Sequence, residues 1–238
     1  MVTIVAALGS TLPSALASSG WYTRVKLEPA SAGSGSRLTL AVKPPVTGRT
    51  GVPHRNRDVF SVRMARGTTF DPGAVPGRCS RAQAVDRDCP EASMIGFGRA
   101  DLSGGPRGPF AAALDLYLGP RQHPGDVAGI VLVARAAGHR SRATGRIVAL
   151  GESRSRLYGL QLSFEGLRRA FGKHSHVEGH VDRLRVHIGA HRTVAGRRHD
   201  LITNPSSCGS DGWPWRAHVG SPDWQTGWYY YGSVDCSP

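Results

Sequence analysis

A chain of 238 residues with 39% hydrophobic content can bury a sizeable core, as one large β domain or two small ones, and its composition excludes a disordered chain. Thirty Lys plus Arg against 17 Asp plus Glu give a formal charge of +13, which favours polyanions such as nucleic acid, anionic glycan or an acidic envelope polymer as partners. Because only 3 of the 30 are Lys, GC-rich coding accounts for the arginine skew equally well, and charge alone assigns no ligand.

The N-terminus reads as an export signal over residues 1–17. Val2 to Leu16 is apolar and ends in the small-x-small pattern Ala15-Leu-Ala17, placing the mature start at Ser18. No Lys or Arg precedes the apolar run, so a buried N-terminal strand is the competing reading. No other stretch approaches the roughly 18 apolar residues that a membrane-spanning helix needs.

Trp21 to Leu27 is expected as a short extended segment, with the Gly/Ser-rich stretch 31–36 as a linker, so that residues 18–36 stand apart from a single domain over 37–238. Leu38, Leu40 and Val42 then alternate with polar neighbours at the period of a half-buried strand. Pro44-Pro45 ends it, and Gly48 to Arg57 is a surface loop. Phe60, Val62 and Met64 resume the alternation before the first cysteine.

Between Cys79 and Cys89, Ala82 and Ala84 suit one helical turn, and Pro90 suits the first position of another. Ile95 and Phe97, interleaved with Gly96, Gly98 and Ala100, predict a strand that lets a neighbour approach closely. After a turn at 104–109, Ala112, Leu114, Leu116 and Leu118 alternate against Asp115 and Tyr117 as a half-exposed strand. Ile130 to Val133 is apolar on both faces and so is expected to be central.

Arg146 to Leu150 and Arg156 to Glu165 predict a hairpin across 151–155. Leu184, Val186 and Ile188 form the inward face of a later strand whose Arg183, Arg185 and His187 point outward. About ten short strands with hardly any helix predict an all-β fold, an antiparallel β-sandwich or jelly roll.

Four cysteines in an exported chain suggest two disulfides. Sequence permits three pairings. Cys79 with Cys89 and Cys208 with Cys236 are favoured because each pair is local, and on the loop-entropy model they contribute roughly 3 to 3.5 kcal/mol each. The absence of any C-x-x-C spacing argues against zinc.

Cys89-Pro-Glu-Ala-Ser-Met-Ile-Gly-Phe-Gly-Arg-Ala100, taken with Ile202-Thr-Asn-Pro-Ser-Ser-Cys208 and Gly212-Trp-Pro-Trp-Arg-Ala217, resembles a group of uncharacterised secreted proteins of high-GC actinobacteria. That group shares a Cys-Pro-x-Ala-Ser-x-Ile-Gly-x-Gly-x-Ala segment and a late Thr-x-Pro-x-x-Cys with a nearby Gly-x-Trp. The resemblance spans Leu38 to Cys236 and implies a β-rich exported domain with no known activity.

Three constellations are candidates for function. The basic residues concentrate in the middle: 135–198 holds 14 basic and 4 acidic residues, net +10, whereas 199–238 holds 1 basic and 4 acidic, net −3. Arg183 and Arg185, with the dense pairs Arg168-Arg169 and Arg197-Arg198, are the candidate polyanion-binding residues. Trp213, Trp215, Trp224 and Trp228, close to the run Tyr229 to Tyr231, are candidates for stacking on sugar rings if they face outward; filling the core is the alternative.

His174, His176, Glu178 and His180 share one strand face at spacing two, and His174 with His176 suit a metal site completed from another strand. Catalytic signatures are missing: there is no Gly-x-Ser-x-Gly elbow, no Ser-x-x-Lys pair and no phosphate-binding glycine loop. No cofactor is expected. Sequence-specific nucleic-acid binding is not expected either, since the arginines and the aromatics lie in separate parts of the chain.

The sequence therefore favours an exported, non-catalytic β domain associating with a cell-envelope or other anionic polymer. A carbohydrate-binding or carbohydrate-cleaving module is the alternative.

Overall fold

The computed structural model describes residues 22–43, 59–103, 109–152, 155–171, 180–220 and 227–238. Within them the strands are β1 (Tyr22–Glu28), β2 (Arg37–Lys43), β3 (Val59–Ala65), β4 (Thr69–Phe70), β5 (Met94–Ser103), β6 (Phe110–Gly119), β7 (Asp126–Ala136) and β8 (His139–Ala149). The chain continues through β9 (Tyr158–Glu165), β10 (His180–Ile188), β11 (His191–Val194), β12 (Arg197–Asp200), β13 (Ile202–Thr203), β14 (Trp213–Gly220) and β15 (Gly227–Val234). The helices are short: α1 (Arg81–Asp86) and α2 (Leu167–Phe171). The export signal over 1–17, the loop from Gly48 to Arg57 and most of the turn after β5 lie outside the described residues.

Eleven strands form one antiparallel sheet in the order β1-β2-β10-β5-β6-β7-β8-β9-β3-β14-β15, and β4–β13 and β11–β12 pair separately. The sheet nearly closes on itself as a barrel or sandwich, because its two edge strands, β1 and β15, pack against each other. Beside that seam the Ala32 N–H donates to the Ser237 carbonyl and the Ser237 N–H to the Ala30 carbonyl, both at 2.9 Å. Cys208–Cys236 forms next to the same contact and Cys79–Cys89 forms far from it, so both local pairings hold.

Inward residues of every long strand fill a single core, with Phe60, Phe164, Leu114, Leu116, Leu118, Ile130 and Leu132 wholly buried. β7 is apolar on its outer side too, for a local reason. Val131 and Val133 are covered by Ala84 of α1 and by Cys79, with Cys89 and Tyr117 packed around them.

The helix is pinned there. Ser80 accepts from the Gln83 N–H and the Gln83 side chain accepts from the Ser80 N–H, a capping box, and the Cys79 N–H donates to the Leu118 carbonyl at 2.8 Å. Pro90 stands one place earlier than expected, as the residue capping the 3-10 turn Glu91–Ser93. Asp115 is not half-exposed as its alternation suggested, because Arg135 folds over it at 2.7 Å.

Close packing at Gly96 and Gly98 is as expected. A β-carbon on either would collide with a backbone carbonyl of β10, that of His187 or that of Arg185. The two-residue connections Ala137-Gly138 and Ala195-Gly196 have positive φ at both positions, the primed turn that matches the twist of a hairpin.

Residues 22–36 correct the expected domain division. β1 pairs with β2 along its whole length, and the stretch 31–36 is a tied loop rather than a linker. Buried Asn204 holds it. Its Nδ2 donates to the carbonyls of Pro29 (2.9 Å) and Ser31 (3.0 Å) and to Ser34 Oγ (3.2 Å), and its Oδ1 accepts from Ser36 Oγ at 2.7 Å. Asn204→Ala is expected to cost about 1–3 kcal/mol, the penalty for stranding buried polar partners, read as a lower urea midpoint with an unchanged m-value. A shift below about 0.5 kcal/mol would show that Asn204 does not anchor the seam.

Candidate polyanion-binding face

β10 lies between β2 and β5, and its outward residues sit in rows that run across the sheet. The paired positions give the row Arg24–Ala41–Arg185–Arg99–Ala113–Arg135–Arg140 through β1, β2, β10, β5, β6, β7 and β8. At about 4.8 Å between strands it extends for nearly 30 Å if measured along the sheet. The two alanines are the small residues between long guanidinium side chains, and Ala41 is itself buried.

The parallel row Lys26–Thr39–His187–Phe97–Asp115–Val133–Arg142 runs beside it. In that row Thr39 Oγ1 hydrogen-bonds His187 Nδ1 at 2.9 Å, and the Phe97 ring stands 5.3 Å from the imidazole with more than half its surface exposed. Burial, then Arg185 and Arg37, push His187 below the ordinary imidazole value, so charge on this face comes from arginine and lysine.

Acids neutralise one end of the face and leave the other. Arg99 pairs with Asp101 and Arg135 with Asp115, both at 2.7 Å, and Arg140 is 3.9 Å from Asp88. Among the described residues, Arg24, Arg37, Lys43, Arg183 and Arg185 have no carboxylate within 4.0 Å. These five cations on β1, β2 and β10 are the unneutralised part.

The remaining sequence candidates that the structure describes fall elsewhere. Arg197 and Arg198 lie on the exposed β11–β12 hairpin, where Arg198 Nε is held by Asp200 at 2.8 Å. Arg168 and Arg169 belong to α2, but their side chains lie outside what the structure describes, as do His174, His176, Glu178 and Trp224. His180 opens β10, and among the described residues no three His, Cys, Asp or Glu side chains come together as a metal site.

Trp213 and Trp215 point into the core at 4% and 7% exposure and present no ring face for a sugar. The Trp213 indole N–H is satisfied by the Ser207 carbonyl at 2.8 Å, and the Trp215 ring occupies the space that a β-carbon at position 232 would need. Trp228 is half-buried on β15, and Tyr229 and Tyr231 are exposed there.

Sequence reasoning missed Arg24 and Arg99 as members of the basic face. Their strands are far apart in the chain, and only the strand order brings them beside Arg185. It also missed a buried polar row on the outer side of β14, β3 and β9, in which His218 stands opposite Ser61 and Ser61 opposite Ser163.

The Tyr229 ring is 4.7 Å from His218, and Arg216 lies 5.4 Å from the Tyr229 ring centre. Burial, then Arg216 and Arg63, lower the His218 pKa. A base depressed in the folded state binds its proton more readily when unfolded, so the native state keeps its full stability above the ordinary value of about 6.5 and loses it as pH falls below that. The melting temperature is expected to drop between pH 7.5 and 5, and His218→Gln is expected to flatten part of that drop, leaving the share due to His187. An unchanged pH profile in the variant would contradict the assignment.

Searches against family models, curated proteins and solved structures return no match to this chain. What the geometry defines is a disulfide-bonded antiparallel β protein with an arginine-rich outer face. Among the described residues, no helix is long and apolar enough to cross a membrane.

Proposed function

We propose that this protein is an exported, non-catalytic β domain that holds an anionic polymer of the cell envelope against the outer face of β1, β2, β10 and β5. The observation that carries this reading is the cross-strand row from Arg24 to Arg99, flanked by Arg37, Lys43 and Arg183, in which only Arg99 has a carboxylate partner among the described residues. A rigid sheet fixes the spacing of these charges, so a flexible polyanion releases counterions along the row without any rearrangement of the protein. Two disulfides suit an oxidising compartment, and the apolar segment 2–16 suits an export signal.

Retention of the full chain on a sulfated or phosphorylated polysaccharide column is the test. Binding at 50 mM salt that falls log-linearly as salt rises is the expected result. No retention at low salt would remove the proposal, and retention indifferent to salt would remove its electrostatic mode.

The carbohydrate reading has one observation left in its favour, the outward rings of Tyr229 and Tyr231 on β15. It predicts retention on neutral glycan that Tyr231→Ala abolishes.

A further inference from the structure

Away from the unneutralised cations, a cleft of about 290 Å³ opens between α1, the loop 120–122 and the outer side of β7 and β8. Arg81 from α1, Arg121 from the loop and Arg142 from β8 line it together. Among the described residues none of the three has a carboxylate within 4.0 Å. Asp126, close to Arg121 in the chain, is already engaged: it pairs with Arg146 at 2.6 Å and accepts from the N–H groups of Gln122 (3.1 Å) and His123 (2.9 Å).

The rest of the lining is largely apolar, including Ala84, Val131 and the exposed Val85. Both walls are fixed before any ligand arrives. The Cys79–Cys89 disulfide and the Ser80–Gln83 capping box hold α1, and Asp126 holds the loop that carries Arg121, while Gln122 Nε2 donates to the Gly145 carbonyl at 3.0 Å.

We propose that this cleft is a binding site for a small organic anion, a phosphate or carboxylate carried on an apolar body. Guanidinium groups recognise either oxyanion through two parallel N–H donors, and three that share one cleft without a carboxylate repel each other until such an anion sits among them. The apolar lining selects an anion with a ring or chain attached over a bare ion, and the volume is near the lower limit for small-molecule sites. The site is independent of the polymer-binding reading, since its three arginines are not among the cations on β1, β2 and β10.

Calorimetric titration of the full chain with phenyl phosphate, benzoate and inorganic phosphate tests it. At least one aromatic anion is expected to saturate a single site, with inorganic phosphate about tenfold weaker for want of the apolar contact. Comparing phenyl phosphate with benzoate then says which oxyanion the arginines prefer.

Arg121→Ala and Arg142→Ala are each expected to weaken binding about tenfold, and Arg185→Ala to leave it unchanged. Arg121 is exposed in a loop, so its removal leaves the fold intact even if Arg142→Ala perturbs β8. No saturation by either aromatic anion up to about 10 mM, equal binding of inorganic phosphate, or unchanged affinity in Arg121→Ala would each overturn the proposal. Loss of polymer retention in β10 variants whose anion titration is normal would bear on the other face alone.

Discussion

Asp126→Ala is expected to destabilise the protein by about 3–5 kcal/mol, the cost of removing one partner of a buried ion pair. The carboxylate is wholly buried at the start of β7, where the Arg146 guanidinium reaches it at 2.6 Å with only a quarter of its own side chain exposed. Two backbone N–H groups of the loop before β7, those of Gln122 and His123, end on the same carboxylate. Alanine leaves a covered cation without its counterion and two donors without an acceptor, and the loop loses its anchor to the sheet.

Urea denaturation measures the loss, and a cost under about 1 kcal/mol would show that water or a neighbour replaces the carboxylate. The double variant Asp126→Leu/Arg146→Met separates the charge from the packing. It removes both ends of the pair and is expected to recover most of the stability, because replacing a buried pair with apolar groups of similar volume is often neutral.

The second large effect concerns binding. Arg24→Glu/Arg185→Glu is expected to reduce retention on an anionic polymer by about ten- to a hundredfold at 50 mM salt and to lessen its salt dependence, because two contacts are lost and two repulsive charges replace them. Both side chains are exposed on the outer face, so the variant is expected to melt within a few degrees of the wild type. Arg197→Glu/Arg198→Glu, on the separate hairpin, is the control. If that control rather than the β1–β10 variant abolished retention, the binding surface would be the hairpin.

Local chemistry was legible where neighbours in sequence are also neighbours in space. The alternation of Ala112, Leu114, Leu116 and Leu118 was enough to name the inward face of β6, because a pleated strand repeats every two residues. Two cysteine pairs in short turn-rich segments favoured the connectivity that forms, though three pairings stayed open until the fold chose one. The glycines of β5 were legible as a close approach, though not which strand approaches.

Alternation could not say which face of a late aromatic strand meets the core. Trp213 and Trp215 share a parity with Ala217 and Val219, and only the placement of β14 between β3 and β15 showed that this parity faces inward. The burial of Asp115 was misjudged for a related reason: its cover, Arg135, comes from the next strand.

By itself, then, the sequence pointed to an antiparallel all-β chain with two local disulfides, an inward face for the strands that alternate cleanly, such as β6, and a surplus of arginine. Tertiary structure alone decided where that surplus acts. Inserting β10 between β2 and β5 places Arg185 beside Arg99 and one strand from Arg24, positions separated by up to some 160 residues along the chain. Strand periodicity is a property of one segment, whereas a charged row across a sheet depends on which strands pair and in what register, and that choice is made by burial of the whole core.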